Sequence, residues 1–325
     1  MKNRFAVNPR VALLAAALLL YPLVFPDPFY RDVGVTFLLA AISASAWNIV
    51  GGYAGQVSVG HAMFFGFGAY APLLFYTLFG WPPMAGIPIG MALSAALAVV
   101  IGLPTFRLTG HYFSMATIAV AELIRIFFGT WDLVGAAIGL QGPATARGWW
   151  DLTFRSEVPY YYIFLAVLAV LLGLTSAMER RRFGYYLRAI KAGERAARSL
   201  GVPVLQTKMR ALVFSAVFTS LAGSLYAIKT GFIDPESGFG ILVSVQMVIV
   251  AALGGAGVLF GPLVGALILI PLQTATNTWF GGGGSGLTYI IYGGIIVLIA
   301  RFEPGGIFDL WHRVALMRRR RNYAA

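Results

Sequence analysis

Residues 159–210 read PYYYIFLAVLAVLLGLTSAMERRRFGYYLRAIKAGERAARSLGVPVLQTKMR. The first part, Pro159–Ala177, carries no charge and has the length, roughly 20 residues, that a helix needs to cross hydrocarbon. The second part, Met178–Arg210, holds Arg180, Arg181, Arg182, Arg188, Lys191, Arg195, Arg198, Lys208 and Arg210 against only Glu179 and Glu194. An apolar span running into a basic segment predicts a membrane helix whose polar end stays in the cytoplasm.

The same alternation continues in both directions. Apolar runs occupy Val11–Phe25, Val33–Val50, Ser58–Phe79, Ala85–Leu103, Tyr112–Thr130, Ala211–Thr230, Ile241–Leu253, Pro262–Phe280 and Leu287–Ala300. With Pro159–Ala177 they predict an all-α integral membrane protein, a polytopic helical bundle of about ten spans. Eight satisfy the same parity if two runs are re-entrant. Several runs are interrupted by glycine, which marks broken or re-entrant helices. The whole chain, 1–325, reads as a single transmembrane domain.

Composition agrees. Of 325 residues, 59% are hydrophobic and 11% charged, whereas a soluble domain carries about 25% charged residues. The net charge of +12 would suggest nucleic acid in a soluble protein. Here it lies between the apolar runs, so orientation explains it and no nucleic-acid partner is expected. Lys2, Arg4 and Arg10 place residues 1–10 in the cytoplasm, and Arg313 with Arg318–Arg321 places the tail 301–325 there too. The Trp-rich loop 131–158 is near neutral and faces outward. The first run competes with a signal peptide, but no small-x-small site follows it, and Pro26-Asp27-Pro28 comes next. It is read as an anchor.

Little points to an enzyme. Cysteine is absent, so thiolate metal sites are excluded. No Walker A pattern occurs. His61, His111 and His312 lack ligand spacing. No catalytic, cofactor or metal residues are expected. The four glycines Gly281–Gly284 read as a flexible outer loop.

Four segments carry the interest. In 183–201, FGYYLRAIKAGERAARSLG, the residues Leu187, Ile190, Ala197 and Leu200 fall at helical spacing with cations elsewhere, and Gly201 is a stop. This predicts a short amphipathic helix, which suits docking into a partner's groove and equally suits lying on anionic lipid. In 47–70, WNIVGGYAGQVSVGHAMFFGFGAY, the glycines permit bends where backbone lines a cavity or packs on protein, and Gln56, Ser58 and His61 offer hydrogen bonds. Close packing, with His61 satisfied by a carbonyl, is the blander reading. Glu122 and Arg125 sit inside an apolar helix at pairing distance, either as pathway residues or as a structural pair. In 231–265, Gln246 lies at membrane depth. The glycine interruptions 51–55 and 254–257 occupy comparable settings in the two halves, which hints at an inverted repeat around a central pathway.

These segments together resemble the branched-chain amino acid permease family of ABC importers, over about Phe37–Ala300. Arg188-Ala189-Ile190, Glu194-x-Ala196-Ala197 and Gly201 are similar to its cytoplasmic coupling loop. Asn48, Gly52-Tyr53, Gly55-Gln56, Ser58 and Gly60-His61 resemble its N-terminal signature. Glu122, Arg125, Trp131 and Asp132 follow its third block, and Pro235, Ser237, Ser244, Gly254-Gly255, Gly257, Gly261-Pro262 and Gly265 its late block. The chain departs from the family at Val134-Gly135-Ala136-Ala137-Ile138-Gly139, where Thr-Gly-Gly-x-x-Gly is usual, and at Gln246, where many members have Glu.

The resemblance implies an M-type permease subunit in a bacterial inner membrane. Arg188, Ala189, Glu194, Ala197 and Gly201 would couple it to two ABC ATPase subunits, which use ATP and Mg while this chain binds no cofactor. A shorter H-type permease and a periplasmic binding protein would complete the importer, with membrane lipid around it. Gln56, Ser58, His61, Glu122, Arg125 and Gln246 are candidate pathway or gate residues. Related permeases move urea, amides, aromatic acids or sugars, so the cargo stays open between these and amino acids. An ion-coupled secondary transporter is the alternative of another class; Glu122 and Arg125 would be its ion site.

Overall fold

The computed structural model describes residues 9–108, 110–143, 148–149 and 151–279, with the single positions 290, 293, 294, 306 and 307. Apart from those positions, the run 287–300 and the tail 301–325 lie outside the described residues, as do 1–8, Arg147 and Gly281–Gly284. Twelve α-helices are described: α1 Pro9–Val24, α2 Pro28–Asn48, α3 Ala62–Phe79, α4 Pro83–Thr105, α5 His111–Thr130, α6 Glu157–Glu179, α7 Arg182–Ala192, α8 Glu194–Ser199, α9 Val204–Thr230, α10 Pro235–Phe239, α11 Ile241–Gly254 and α12 Gly261–Trp279. A π-helical turn, Ile49–Tyr53, extends α2.

Seven helical stretches among these are long and apolar enough to cross a membrane, counting α2 with its π turn and α10 with α11 as one each. The chain is therefore a multi-pass helical membrane protein, and each apolar run up to residue 279 lies mainly on a helix, with residues 58–61 of the third run preceding α3. Local chemistry sets the boundaries. Asp27 caps α2, its carboxylate accepting from the Phe29 amide at 2.8 Å, with Pro28 at the first helical position. Gly80 and Gly231 end α3 and α9 in left-handed conformations, both at φ 65.

The bundle is centred on α3, which packs between α4 and α9, and on α2, which packs against α6, α9, α11 and α12. The α3–α9 crossing brings backbones together. A Cβ on Gly68 would lie 1.9 Å from the Ser220 carbonyl oxygen, and one on Gly223 would lie 2.0 Å from that of Phe65. Ser224 Oγ donates to the Gly68 carbonyl at 2.7 Å across the same crossing. Small residues permit such contact between membrane helices, where packing and interhelical hydrogen bonds replace the hydrophobic drive.

The ends of the helices differ. At one, α7 and α8 carry Arg182, Arg188, Arg195 and Arg198, with Arg180 and Arg181 in the turn before them. At the other, Lys229 of α9 pairs with Asp32 of α2 and with Glu157 of α6 at 3.7 Å, while Phe79, Trp81 and Trp131 stand exposed. There β1, Leu140–Gln141, pairs antiparallel with β2, Phe232–Ile233.

The single amphipathic helix predicted over 183–201 is two helices. Gly193 interrupts it, and the phase changes there. Leu187, Ile190 and Ala197 are buried as the spacing implied, but Leu200 is 83% exposed. Gly201 serves as the stop at φ 80, with the Val202 amide donating to the Ala197 carbonyl at 3.1 Å.

The crossing makes a paired prediction. Gly223→Ala forces backbones apart and lowers the thermal midpoint of detergent-purified protein, by roughly 2 kcal/mol or more of stability. Gly173→Ala on α6, where a Cβ meets nothing within 4 Å, leaves the midpoint unchanged or raises it by up to about 1 kcal/mol.

Candidate translocation and coupling site

Between α2 and α3 the chain runs as a bent segment, residues 54–61, with Ala54, Ser58, Gly60 and His61 buried in the bundle and Gly55 and Val57 exposed. Hydrocarbon offers no partner to irregular backbone, so each polar group must be met by protein. The partners come from α2 with its π turn, α5 and α11. The Gln56 amide donates to the Val50 carbonyl at 3.0 Å. Ser114 of α5 donates to the Val57 carbonyl at 2.5 Å, and Thr117 Oγ1 accepts from the Val59 amide at 3.2 Å. Trp47 of α2 donates to the Ser58 carbonyl at 2.6 Å, and Ser244 of α11 accepts from the Ala62 amide at 2.7 Å. Gly60 must be glycine, since a Cβ would sit 2.1 Å from the Thr117 carbonyl oxygen.

Ser58 and His61 are fully buried in this segment. His61 Nδ1 is 2.9 Å from Ser58 Oγ, and Nε2 is 2.9 Å from Ser215 Oγ of α9. Ser215 in turn donates to the Ala46 carbonyl at 2.6 Å. A neutral imidazole protonated on Nε2 satisfies the whole relay: Ser58 donates to Nδ1, Nε2–H donates to Ser215. His61 is thus held by two serine hydroxyls rather than by a carbonyl, and it ties α2, α3 and α9 together. Gln56 sits near the surface, its amide 3.5 Å from the Ala54 carbonyl.

The second glycine interruption, 254–257, meets the first. Asn48 spans them. Its Nδ2 donates to the Val258 carbonyl at 3.1 Å, and its Oδ1 accepts from the Gly257 amide at 2.8 Å. A Cβ on Gly52 would lie 1.8 Å from Asn48 Oδ1 and 2.4 Å from the Gly257 nitrogen.

Lys191, near the end of α7, touches both. Its Nζ donates to the Ala256 carbonyl at 3.4 Å and lies 3.0 Å from where a Cβ on Gly257 would be. Its Cγ lies 3.1 Å from the Cβ position of Gly55, which holds φ 70. Burial lowers the pKa of this ammonium.

Of the residues proposed for coupling, Arg188 pairs with Glu179 at 3.0 Å, and Ala189 packs beside the buried Ile190, Ala197 and Val204. Glu194 pairs with Arg198 at 3.2 Å and with Lys208 of α9. Lys208 is 2% exposed and lies 5.7 Å from the Phe106 ring centroid. Of these, Glu194, Arg198, Val204, Lys208 and Phe106 line an open groove of about 1080 Å³ between α8, the start of α9 and the α4–α5 turn, whereas Arg188, Ala189, Ala197 and Gly201 do not.

Glu122 and Arg125 form a bidentate pair, Nε to Oε2 at 2.9 Å and Nη2 to Oε1 at 2.5 Å. A third residue joins them: Glu236 of α10 accepts from Arg125 Nη1 at 3.0 Å. The trio is open, with side-chain exposures of 42%, 31% and 62% for Glu122, Arg125 and Glu236. At 1.5 Å per residue Glu122 lies about 17 Å from one end of α5 and about 12 Å from the other. Only 28% of the α5 span is buried, and Met115, Leu123 and Ile126 are exposed on it.

Gln246 is elsewhere. It lines a cavity of about 300 Å³ with Thr36, Ser43, Tyr226, Ser237 and Gln273, its Nε2 3.5 Å from Gln273 Oε1.

The loop that departs from the family pattern is stitched to the α9–α10 turn. A Cβ on Gly139 would lie 2.1 Å from the Ile233 carbonyl oxygen, and the Gly142 amide donates to the Gly231 carbonyl at 2.8 Å. Ala136, at the place of a usual glycine, is held at φ 45.

Sequence reasoning missed Lys191, Lys208, Ser215 and Glu236 as site residues. Lys191 was one cation among many. Glu236, an acid directly after Asp234-Pro235 and before an apolar run, was the one visible signal.

A bundle of spanning helices with broken segments satisfied internally, and with a basic helix pair seated on their ends, is a membrane permease. A family profile described as "Branched-chain amino acid transport system / permease component" matches residues 30–300, and the chain belongs to that family. It is 28% identical to the high-affinity branched-chain amino acid transport system permease protein LivM of Escherichia coli, over 92% of this chain and 75% of the relative. It is 24% identical to the corresponding protein BraD of Pseudomonas aeruginosa, over 85% of this chain and 92% of the relative. It is also 24% identical to the xylose transport system permease protein XylH of Haemophilus influenzae, over 70% of this chain and 65% of the relative. No solved structure matches the chain.

Ala136→Gly relieves a left-handed alanine, and it stabilises the protein by about 1 kcal/mol in thermal unfolding.

Proposed function

We propose that this chain is the membrane-spanning permease subunit of an ATP-driven importer for branched-chain or related amino acids, in a bacterial inner membrane. The basic end of the bundle is cytoplasmic. There α7 and α8 rest on two ABC ATPase subunits, which bind and hydrolyse ATP with Mg while this chain carries no cofactor. A periplasmic binding protein delivers cargo to the opposite end.

The observation that carries this reading is Lys191. A basic surface helix with no mechanical role need only be solvated. On this one Lys191 hydrogen-bonds the Ala256 carbonyl of one glycine-broken segment at 3.4 Å and packs its stem beside Gly55 of the other. Asn48 locks those segments to each other, so a push on α7 arrives at two chain breaks together. The open face of α5, α10 and α11 supports a further part of the reading. Charges at membrane depth are expensive toward lipid, so a second, H-type permease covers this face and the pathway runs between the two.

The test uses the assembled importer in proteoliposomes with its binding protein. Lys191→Met removes the hydrogen bond to Ala256 while keeping the aliphatic stem. Leucine uptake falls at least about tenfold, the scale of a lost charged hydrogen bond, while ATP hydrolysis persists. Lys191→Arg recovers part of the uptake. Equal uptake by Lys191→Met and wild type overturns the coupling route.

A further inference from the structure

We infer that Glu236 and Arg125 form a recognition site for the charged ends of a zwitterionic cargo, and that cargo passes by exchanging ion pairs with them. The inference rests on the permease reading above and names how its pathway selects cargo.

The trio is unbalanced. Two carboxylates face one guanidinium, leaving one negative charge in surplus on an open face, with Glu236 near the end of its span. A purely structural pair needs only Glu122 and Arg125, whose bidentate geometry is already complete. Glu236 adds one long-reach contact from a different helix, at 3.0 Å, and is the most exposed member. Its surplus charge calls for a cation. Arg125 has five N–H donors, of which three are engaged. Two remain, one on each terminal nitrogen, and these suit a carboxylate.

The free valences therefore have the polarity of an α-amino acid, an ammonium acceptor beside a carboxylate donor. A bound zwitterion takes its carboxylate to Arg125 and its ammonium to Glu236. Breaking the 125–236 contact costs little, because each partner is repaired by cargo at the same step. Glu122 holds the guanidinium in place throughout. The site adds no net charge when cargo enters, since a zwitterion is neutral overall. A sugar or an amide offers no matching pair of charges.

The site's position favours transit. Glu236 lies on α10, which starts at the Asp234 cap, where Asp234 Oδ1 accepts from the Ser237 amide at 3.2 Å. That turn is paired through β2 to the outer loop at β1. Val59, Ile118, Ala121, Phe239 and Ile241 lie beside Glu122, so the neighbourhood of the pair is apolar.

The experiment is leucine uptake by the complete importer in proteoliposomes, with ATP hydrolysis followed in parallel. Glu236→Gln, an isosteric change on an exposed side chain, raises KM or lowers the uptake rate by roughly ten- to a hundredfold, while ATP hydrolysis stimulated by the binding protein persists. Glu236→Asp restores a large part of the uptake, which a merely steric role would not predict. Leucine uptake by Glu236→Gln at the wild-type rate and KM overturns the inference and leaves the permease reading standing. Absence of leucine uptake by the wild-type importer overturns both. Loss of uptake together with loss of stimulated ATP hydrolysis, in both Glu236→Gln and Glu236→Asp, assigns Glu236 a structural role and also overturns it.

Discussion

The carboxamide of Asn48 is the interaction on which the rest hangs. Two stretches of this chain leave helical geometry inside an apolar bundle. Each unsatisfied backbone group there would cost several kcal/mol. Asn48 answers one amide and one carbonyl of the second break from the end of the helix that precedes the first. An amide side chain is suited to this, because it carries donor and acceptor on one rigid plane. Gly52 and Gly257 supply the close approach that brings them within reach.

The rest of the bent segment follows the same accounting. Ser114, Thr117, Trp47 and Ser244 each satisfy one backbone group, and each comes from a helix packed around the break. The His61 relay then joins the segment to α9. Small hydroxyls are the natural currency here, since they bond backbone without demanding space or carrying charge. The result is a set of chain breaks that are rigid as long as their neighbours stay put.

Lys191 is long enough to reach from α7 into the junction, and its stem packs against Gly55 while its head meets Ala256. Lys208 works in the opposite sense. Buried against Phe106 and paired with Glu194, it fastens α8 to the start of α9. Charges on this surface are therefore divided between those facing water and those with partners inside the protein.

By itself the sequence determined the class and much of the layout. Apolar runs of spanning length, basic segments between them and glycine signatures were enough, because membrane insertion depends on local hydropathy and charge. The same locality explains the pairing of Glu122 with Arg125, three residues apart on one helix. Tertiary structure alone decided the rest. It decided that Asn48 meets Gly257, that His61 is held by Ser58 and Ser215, that Glu236 joins Arg125, and that Lys191 differs from the eight other cations around it. Those contacts link residues far apart in the chain, and no local pattern encodes which distant backbone a side chain will find. The break at Gly193 is the intermediate case. Its glycine was visible, but whether the helix would pass through it depended on what Leu187 and Ala197 could bury on either side.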